Sequence, residues 1–320
     1  MEQSLTVSIG PHIKDSVSTR RIMWAVTFSL IPAGAAGVFI FGLRSLFVII
    51  AATLAAVLTE LIILKSQKKD ISALYDGSAI LTGLLLAYNI PPEVPFWMPV
   101  AGSIFAIAIG KQVFGGLGHN IFNPALVGRA FLMISWPVYM TTWSNPRWSI
   151  DAVTTATPLA MHKNADLGAL TNITNWDLFI GNRGGCIGEV CVIALLIGAA
   201  FLILKRYITW HIPFSYIATV ALMSWIFNGR SGFFSGDILF FILSGGLILG
   251  AFFMATDYVT SPLSSKGKII FGFGCGLLTF VIRKFAGYPE GVSYAILIMN
   301  AVVPTIDRYT LPKWFGQVKK

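Results

Sequence analysis

Residues 72–92 read SALYDGSAILTGLLLAYNIPP. An aspartate and a glycine open the stretch, an apolar run follows, and Asn89-Ile90-Pro91-Pro92 closes it. Proline lacks an amide proton and pushes the residue before it out of the helical region, so the helix must stop short of Pro91. Spanning a bilayer core takes about 17–25 apolar residues. The run is long enough to enter that core, yet it breaks. Irregular backbone at membrane depth is tolerated only where protein or a polar cavity satisfies its hydrogen bonds. The stretch therefore predicts a helical bundle with an interior site rather than a simple anchor. A later run opens with the same signal, Asn120-Ile121-Phe122-Asn123-Pro124.

The rest of the chain agrees. Of 320 residues, 55% are hydrophobic and 12% charged, less charge than a soluble domain carries. Ten apolar spans are expected, near 22–41, 45–64, 72–89, 96–113, 120–137, 187–204, 212–228, 236–256, 268–284 and 291–306. The first twenty residues, MEQSLTVSIGPHIKDSVSTR, are polar and lack the apolar core of a cleavable signal. The net charge of +9 sits mostly beside the spans, where topology and anionic lipid explain it and nucleic acid is not implied. The expected fold is an all-α polytopic membrane protein of about ten transmembrane helices, with the lipid bilayer as its surroundings.

Lys and Arg placement sets the orientation. With the N-terminus inside, fifteen basic residues fall in inside segments and seven in outside segments, so both termini are expected in the cytoplasm. The segment 138–186 is then extracytoplasmic. An internal repeat is also suggested: Leu81-Thr82-Gly83-Leu84-Leu85-Leu86 and Leu249-Gly250-Ala251-Phe252-Phe253-Met254 each soon reach a proline. Five spans plus five would place two broken-helix halves inverted in the membrane. The expected divisions are a cytoplasmic segment 1–21, a first five-helix repeat 22–137, the outer segment 138–186, a second five-helix repeat 187–306 and a cytoplasmic tail 307–320. Cys186, Cys191 and Cys275 read as buried thiols without disulfide or metal-ligand spacing, and the four histidines are scattered.

Several pieces, taken in order, resemble a known family. They are Ser8-Ile9-Gly10-Pro11-His12-Ile13, Ser18-Thr19-Arg20-Arg21-Ile22-Met23, Gly115-Gly116-Leu117-Gly118-His119-Asn120-Ile121-Phe122-Asn123-Pro124-Ala125 and Pro304-Thr305-Ile306-Asp307-Arg308-Tyr309-Thr310, with Pro312-Lys313-Trp314-Phe315-Gly316 last. The chain resembles the D subunits of the Rnf ion-translocating electron-transport complex of bacterial inner membranes. It is more distantly similar to the B subunit of the sodium-translocating NADH:quinone oxidoreductase, which usually has a longer N-terminal segment. A small-solute channel or transporter on an inverted repeat is the alternative from another class.

The resemblance implies a subunit of a translocase that is not catalytic alone and holds no metal. It implies electron relay from reduced ferredoxin to NAD, coupled to movement of Na+ or H+, and partner subunits of the A, B, C, E and G types. It also implies a site within residues 151–160, DAVTTATPLA. Here Asp151, Thr154 and Ala156 match the family's flavin-transfer motif, and Thr155 replaces its usual glycine. Thr157 stands in the acceptor place. A flavin transferase would couple FMN to the Thr157 hydroxyl through a phosphoester, and a second flavin, riboflavin, would sit non-covalently among the spans. Pro158 biases Thr157 away from helix, which should keep the hydroxyl presented.

Other candidates come from charge in apolar surroundings. Arg129 lies within the fifth span and needs a partner, either a flavin phosphate, a carboxylate or a structural ion-pair partner. Arg147 and Arg183 flank the motif and are possible phosphate contacts. Glu60, Asp76 and Asp257 are candidates for an ion pathway, the alternative for Glu60 and Asp257 being a carboxylate at the end of a span. Trp143, Trp148 and Trp176 read as interface anchors or flavin neighbours.

Overall fold

The computed structural model describes residues 17–148, 157–163, 174–228, 232–286 and 290–310. The described residues form helices and no strand. Helix α1 (Thr19–Phe41) is capped by the Ser18 hydroxyl, which accepts from the Arg21 amide, and ends at Gly42. Gly42 sits at φ +93°, in the region that favours glycine, and lets α2 (Leu43–Ser66) start at once. With α13 (Ser265–Phe285), these are, among the described residues, the three helices long and apolar enough to cross a membrane by length and composition. They are inside-out relative to a soluble fold. On α2, Phe47, Leu54, Leu58 and Ile62 face outward while Ala52, Ala56 and Glu60 are buried. Such a surface suits a lipid or protein environment rather than water.

The remaining helices are shorter. α3 (Ser78–Tyr88) ends where the prolines require, and α4 (Trp97–Ile107) runs into a π-helical turn, Ala108–Gln112. α5 (Pro124–Ser135) is capped by Asn123, which accepts from the Ala125 and Leu126 amides, with Pro124 in the first turn. Short helices α6 (Pro137–Met140), α7 (Pro158–Lys163) and α8 (Asn175–Ile180) follow. Then come α9 (Val192–Leu204), α10 (His211–Phe227), α11 (Ile238–Leu243) and α12 (Leu247–Leu249), which continues into a second π turn, Gly250–Met254. α13 and α14 (Val292–Thr310) complete the bundle. The π turns fall in the fourth and eighth expected spans.

Packing follows a recurring order. α2 packs on α3 and α4, and α4 on α5; later, α10 packs on α11 and α13, and α13 on α14. α1 packs on α9, and α5 on α14, joining the two sets. Small residues allow these approaches. A side chain at Gly198 would lie 2.1 Å from the Ser29 carbonyl oxygen, and one at Gly83 would lie 2.7 Å from the Thr53 backbone.

The break after α3 is satisfied by a second irregular stretch. Residues 183–190 run buried through the bundle without regular structure. Their amides complete the broken end of α3: Gly188 donates to the Tyr88 carbonyl at 3.1 Å and Ile187 to the Ile90 carbonyl at 3.2 Å.

Candidate functional site

Thr157 precedes the first residue of α7. Its hydroxyl accepts from the Ala160 amide at 3.3 Å, and its carbonyl accepts from the Met161 amide at 2.9 Å. It is 3% exposed. Asp151, Thr154, Thr155 and Ala156 lie outside the described residues.

Leu159, two positions on, forms one wall of a cavity of about 200 Å³. His162, Lys163, Asn228, Phe241, Arg283 and Lys284 form the rest. Four of these carry basic groups. Arg283 is buried at the end of α13, with its terminal nitrogens donating to the carbonyls of Phe241 (2.8 Å) and Ser244 (3.1 Å). Lys163 donates to the Ala286 carbonyl, and the His162 ring packs edge-on against Phe241. Sequence alone did not single out Arg283 as a site residue. The signal was there: Arg283-Lys284 form a basic pair closing a span on the side assigned to the 138–186 segment.

The flanking arginines part company. Arg147 is exposed, donates its amide to the Ile40 carbonyl and lays its side chain against Gly42. Arg183 and Arg129 go inside. Arg129 on α5 forms a buried ion pair with Glu290 and donates to the Asn89 amide oxygen at 2.6 Å. Asn89 also donates to the Leu85 carbonyl at 2.8 Å, at the broken end of α3. Arg183 donates to the Glu189 main-chain oxygen at 3.4 Å, and Glu189 accepts from the Cys186 amide at 3.1 Å. Ligand atoms of Cys186, Glu189 and Glu290 lie within 4.8 Å of one another, and one carboxylate oxygen of each glutamate has no hydrogen-bond partner among the described residues. Buried charge of this kind survives only when matched, and here two arginines face two glutamates. Sequence alone could expect a partner for Arg129. It could not name Glu290, 161 positions away.

At the opposite end, where α1 begins and α2 finishes, the three ion-pathway candidates line two neighbouring cavities whose walls share Ile22, Met23, Leu117 and Tyr258. Glu60 is 2% exposed and pairs with Lys111 at 2.5 Å. The π turn at the end of α4 turns both Lys111 and Gln112 toward it, and Gln112 donates at 2.9 Å. Lys111 also donates to the Ser78 hydroxyl (2.6 Å), which itself donates to Asp76 (2.6 Å). Glu60, Lys111, Ser78 and Asp76 thus form one hydrogen-bonded chain. Glu60 and Asp76 border a cavity of about 860 Å³, together with Lys69, Asp70 and Gly115–Gly118. Asp257 lines the adjoining space with Thr82, Asn120 and Asn123 and accepts from Thr260 at 3.1 Å.

Of the tryptophans, Trp143 is buried. Trp148 and Trp176 are largely exposed, Trp148 bonding Asn182 at 2.7 Å and packing on Phe39.

Comparison with known proteins places this geometry. Residues 6–316 match the model of the NQR2, RnfD, RnfE family. The chain is 50% identical to the D subunit of the proton-translocating ferredoxin:NAD(+) oxidoreductase complex of Clostridium ljungdahlii, over 97% of this chain and 96% of that one. It is 47% identical to the D subunit of the Na(+)-translocating ferredoxin:NAD(+) oxidoreductase complex of Acetobacterium woodii, over 99% and 97%. It is 39% identical to the D subunit of the ion-translocating oxidoreductase complex of Citrobacter koseri, over 97% and 98%. With the match running through the broken helices and the buried arginine pairs alike, the chain belongs to the NQR2, RnfD, RnfE family.

Proposed function

We propose that this chain is a membrane subunit of an Rnf-type ferredoxin:NAD oxidoreductase complex, carrying FMN as a phosphoester on Thr157. The observation that supports this most is the setting of Thr157. The hydroxyl sits at the start of α7, and the next turn borders a cavity with four basic side chains, suited to a flavin phosphate. When bound, FMN accepts and releases electrons singly, and so links one-electron centres to two-electron carriers. The chain's own residues do the rest. The ester would join the Thr157 oxygen, which loses its proton, to the FMN phosphorus of a flavin dinucleotide donor, whose pyrophosphate bond breaks and releases the nucleoside monophosphate. Phe241 and Leu159 exclude water from one wall, and the basic groups hold negative charge on the other.

Esterification by a flavin transferase requires the hydroxyl to leave its buried capping position. Both termini are assigned to the cytoplasm and the flavin segment to the outer face, and the two packing sets are assigned as inverted halves. A second flavin, riboflavin, is proposed to sit non-covalently among the spans. The translocated ion is Na+ or H+, since relatives at 50% and 47% identity are named for one each. Glu60, Asp76 and Asp257 are its proposed contacts. The other subunits of the complex are the proposed partners.

A denaturing gel viewed under ultraviolet light tests the flavin. Protein from cells with a flavin transferase is expected to give a fluorescent band, and a dark band overturns the proposal.

A further inference from the structure

Arg283 is a buried cation that makes no ion pair among the described residues. Arg129 has Glu290 at ion-pair distance, whereas Arg183 makes no ion pair and donates to the Glu189 main-chain oxygen. Arg283 is 6% exposed, its two terminal nitrogens are occupied by main-chain carbonyls, and its Nε is buried without a partner among the described residues. Neutral carbonyls hold the guanidinium in place but do not neutralise it, and a buried uncompensated charge is costly. The nearest part of the acidic cluster stands behind a tight turn. A side chain at Gly245 would lie 3.3 Å from a terminal Arg283 nitrogen, and one at Gly246 would lie 2.7 Å from a Glu189 oxygen. The two glycines thus separate the arginine from the carboxylate.

On its other side Arg283 lines the cavity that His162, Lys163 and Lys284 share. Leu159, which would come within 2.8 Å of a Gly245 side chain, brings the start of α7 to the same place. Lys163, Lys284 and Arg283 give the cavity positive potential, and among the described residues no carboxylate lines it. Such a lining selects an anion.

From this geometry we infer that Arg283 is a positioning residue for an anionic group of the flavin attached at Thr157. The inference rests on the proposed attachment and adds to it the residue that sets the flavin's electrostatics. Two anionic groups share that chemistry, the phosphodiester and the ring once reduced. A fixed positive charge stabilises the added negative charge of reduction, so it raises the flavin's potential.

The test uses the full chain, expressed with a flavin transferase and purified in detergent. It compares wild type, Arg283→Gln and Arg283→Lys by gel fluorescence and by a spectroelectrochemical titration of the flavin. If the ring is the anion, Arg283→Gln keeps its fluorescent band and its midpoint potential moves negative. The expected size is about tenfold in a one-electron equilibrium, roughly 59 mV. If the phosphodiester is the anion, Arg283→Gln loses the band while Arg283→Lys keeps it. A bright Arg283→Gln band with an unchanged potential overturns the inference and leaves the attachment standing. A dark wild-type band overturns both. Should Arg283→Gln fail to fold, Lys163→Gln carries the test: a smaller negative shift or a weakened band is expected, and a full band with no shift counts against the inference.

Discussion

At the scale of single residues, the interior is organised by charges that sequence could flag but not pair. Arg129 stood out because an arginine inside an apolar run must be answered. Its answer, Glu290, comes from the far end of the chain, and no spacing rule reaches that distance. The pair makes a sharp prediction. Glu290→Gln leaves Arg129 buried without its counter-charge and is expected to cost about 3–5 kcal/mol. The Arg129→Met, Glu290→Met double variant should cost clearly less. Thermal unfolding in detergent measures both, and an equal loss in the two would show that the ion pair is not what holds α5 to α14. Glu60 was legible as an acid near the end of a span; its burial against Lys111 was not. That pairing depends on a π turn, which leaves no mark in hydrophobic periodicity. The same limit applies at Arg283, visible as half of a basic pair but not as the wall of a cavity.

At the scale of elements, helix ends were the most readable feature. Pro91-Pro92 and Asn123-Pro124 predict breaks by mechanism, and α3 and α5 end and begin there. The buried course of residues 183–190 was not readable, because it has neither a helical nor a strand period. α8 offers a local test. Thr174 and Asp177 form a capping box, the Thr174 hydroxyl accepting from the Asp177 amide and the Asp177 carboxylate accepting from the Thr174 amide. Thr174→Ala is expected to cost about 1 kcal/mol of local stability. The bond from the Thr174 hydroxyl, with those from Asn182 and the Thr174 amide, holds the Asp177 carboxyl below its ordinary range. A lowered folded-state value means that the stabilisation is present above the unfolded value, about 3.9. It is lost as pH falls through the lower folded value. Amide protection factors across residues 175–180, taken relative to the intrinsic exchange rate at each pH, should fall on acidification in wild type and lose this dependence in Asp177→Asn. The α1–α9 crossing offers a second test. Gly198→Val has no room beside the Ser29 carbonyl and is expected to lower the unfolding temperature, whereas Gly232→Ala, where a methyl group would meet no atom within 4 Å, tests backbone freedom alone.

At the scale of the whole molecule, composition and broken runs sufficed for an all-α membrane bundle, because each is a direct consequence of solvating backbone in lipid. The arrangement of the helices needed coordinates. The two sets repeat one order of neighbours, α2–α4–α5 and α10–α13–α14, and we propose them as inverted halves. That assignment puts residue 310 and residue 148 on opposite faces of the membrane. Cysteines introduced as Thr310→Cys and Trp148→Cys should react with an impermeant thiol reagent from opposite sides of sealed vesicles. Labelling from the same side would contradict the topology. What joins the three scales is the proposed flavin on Thr157: it would give the basic cavity its anion, α7 its role and the subunit its place in electron transfer. Peptide mass spectrometry of the purified chain, after expression with a flavin transferase, tests it most directly. The account predicts a phosphoester-linked FMN on Thr157 that is lost in Thr157→Ala. An FMN on Thr154 or Thr155, or an unmodified 151–160 segment, would contradict it.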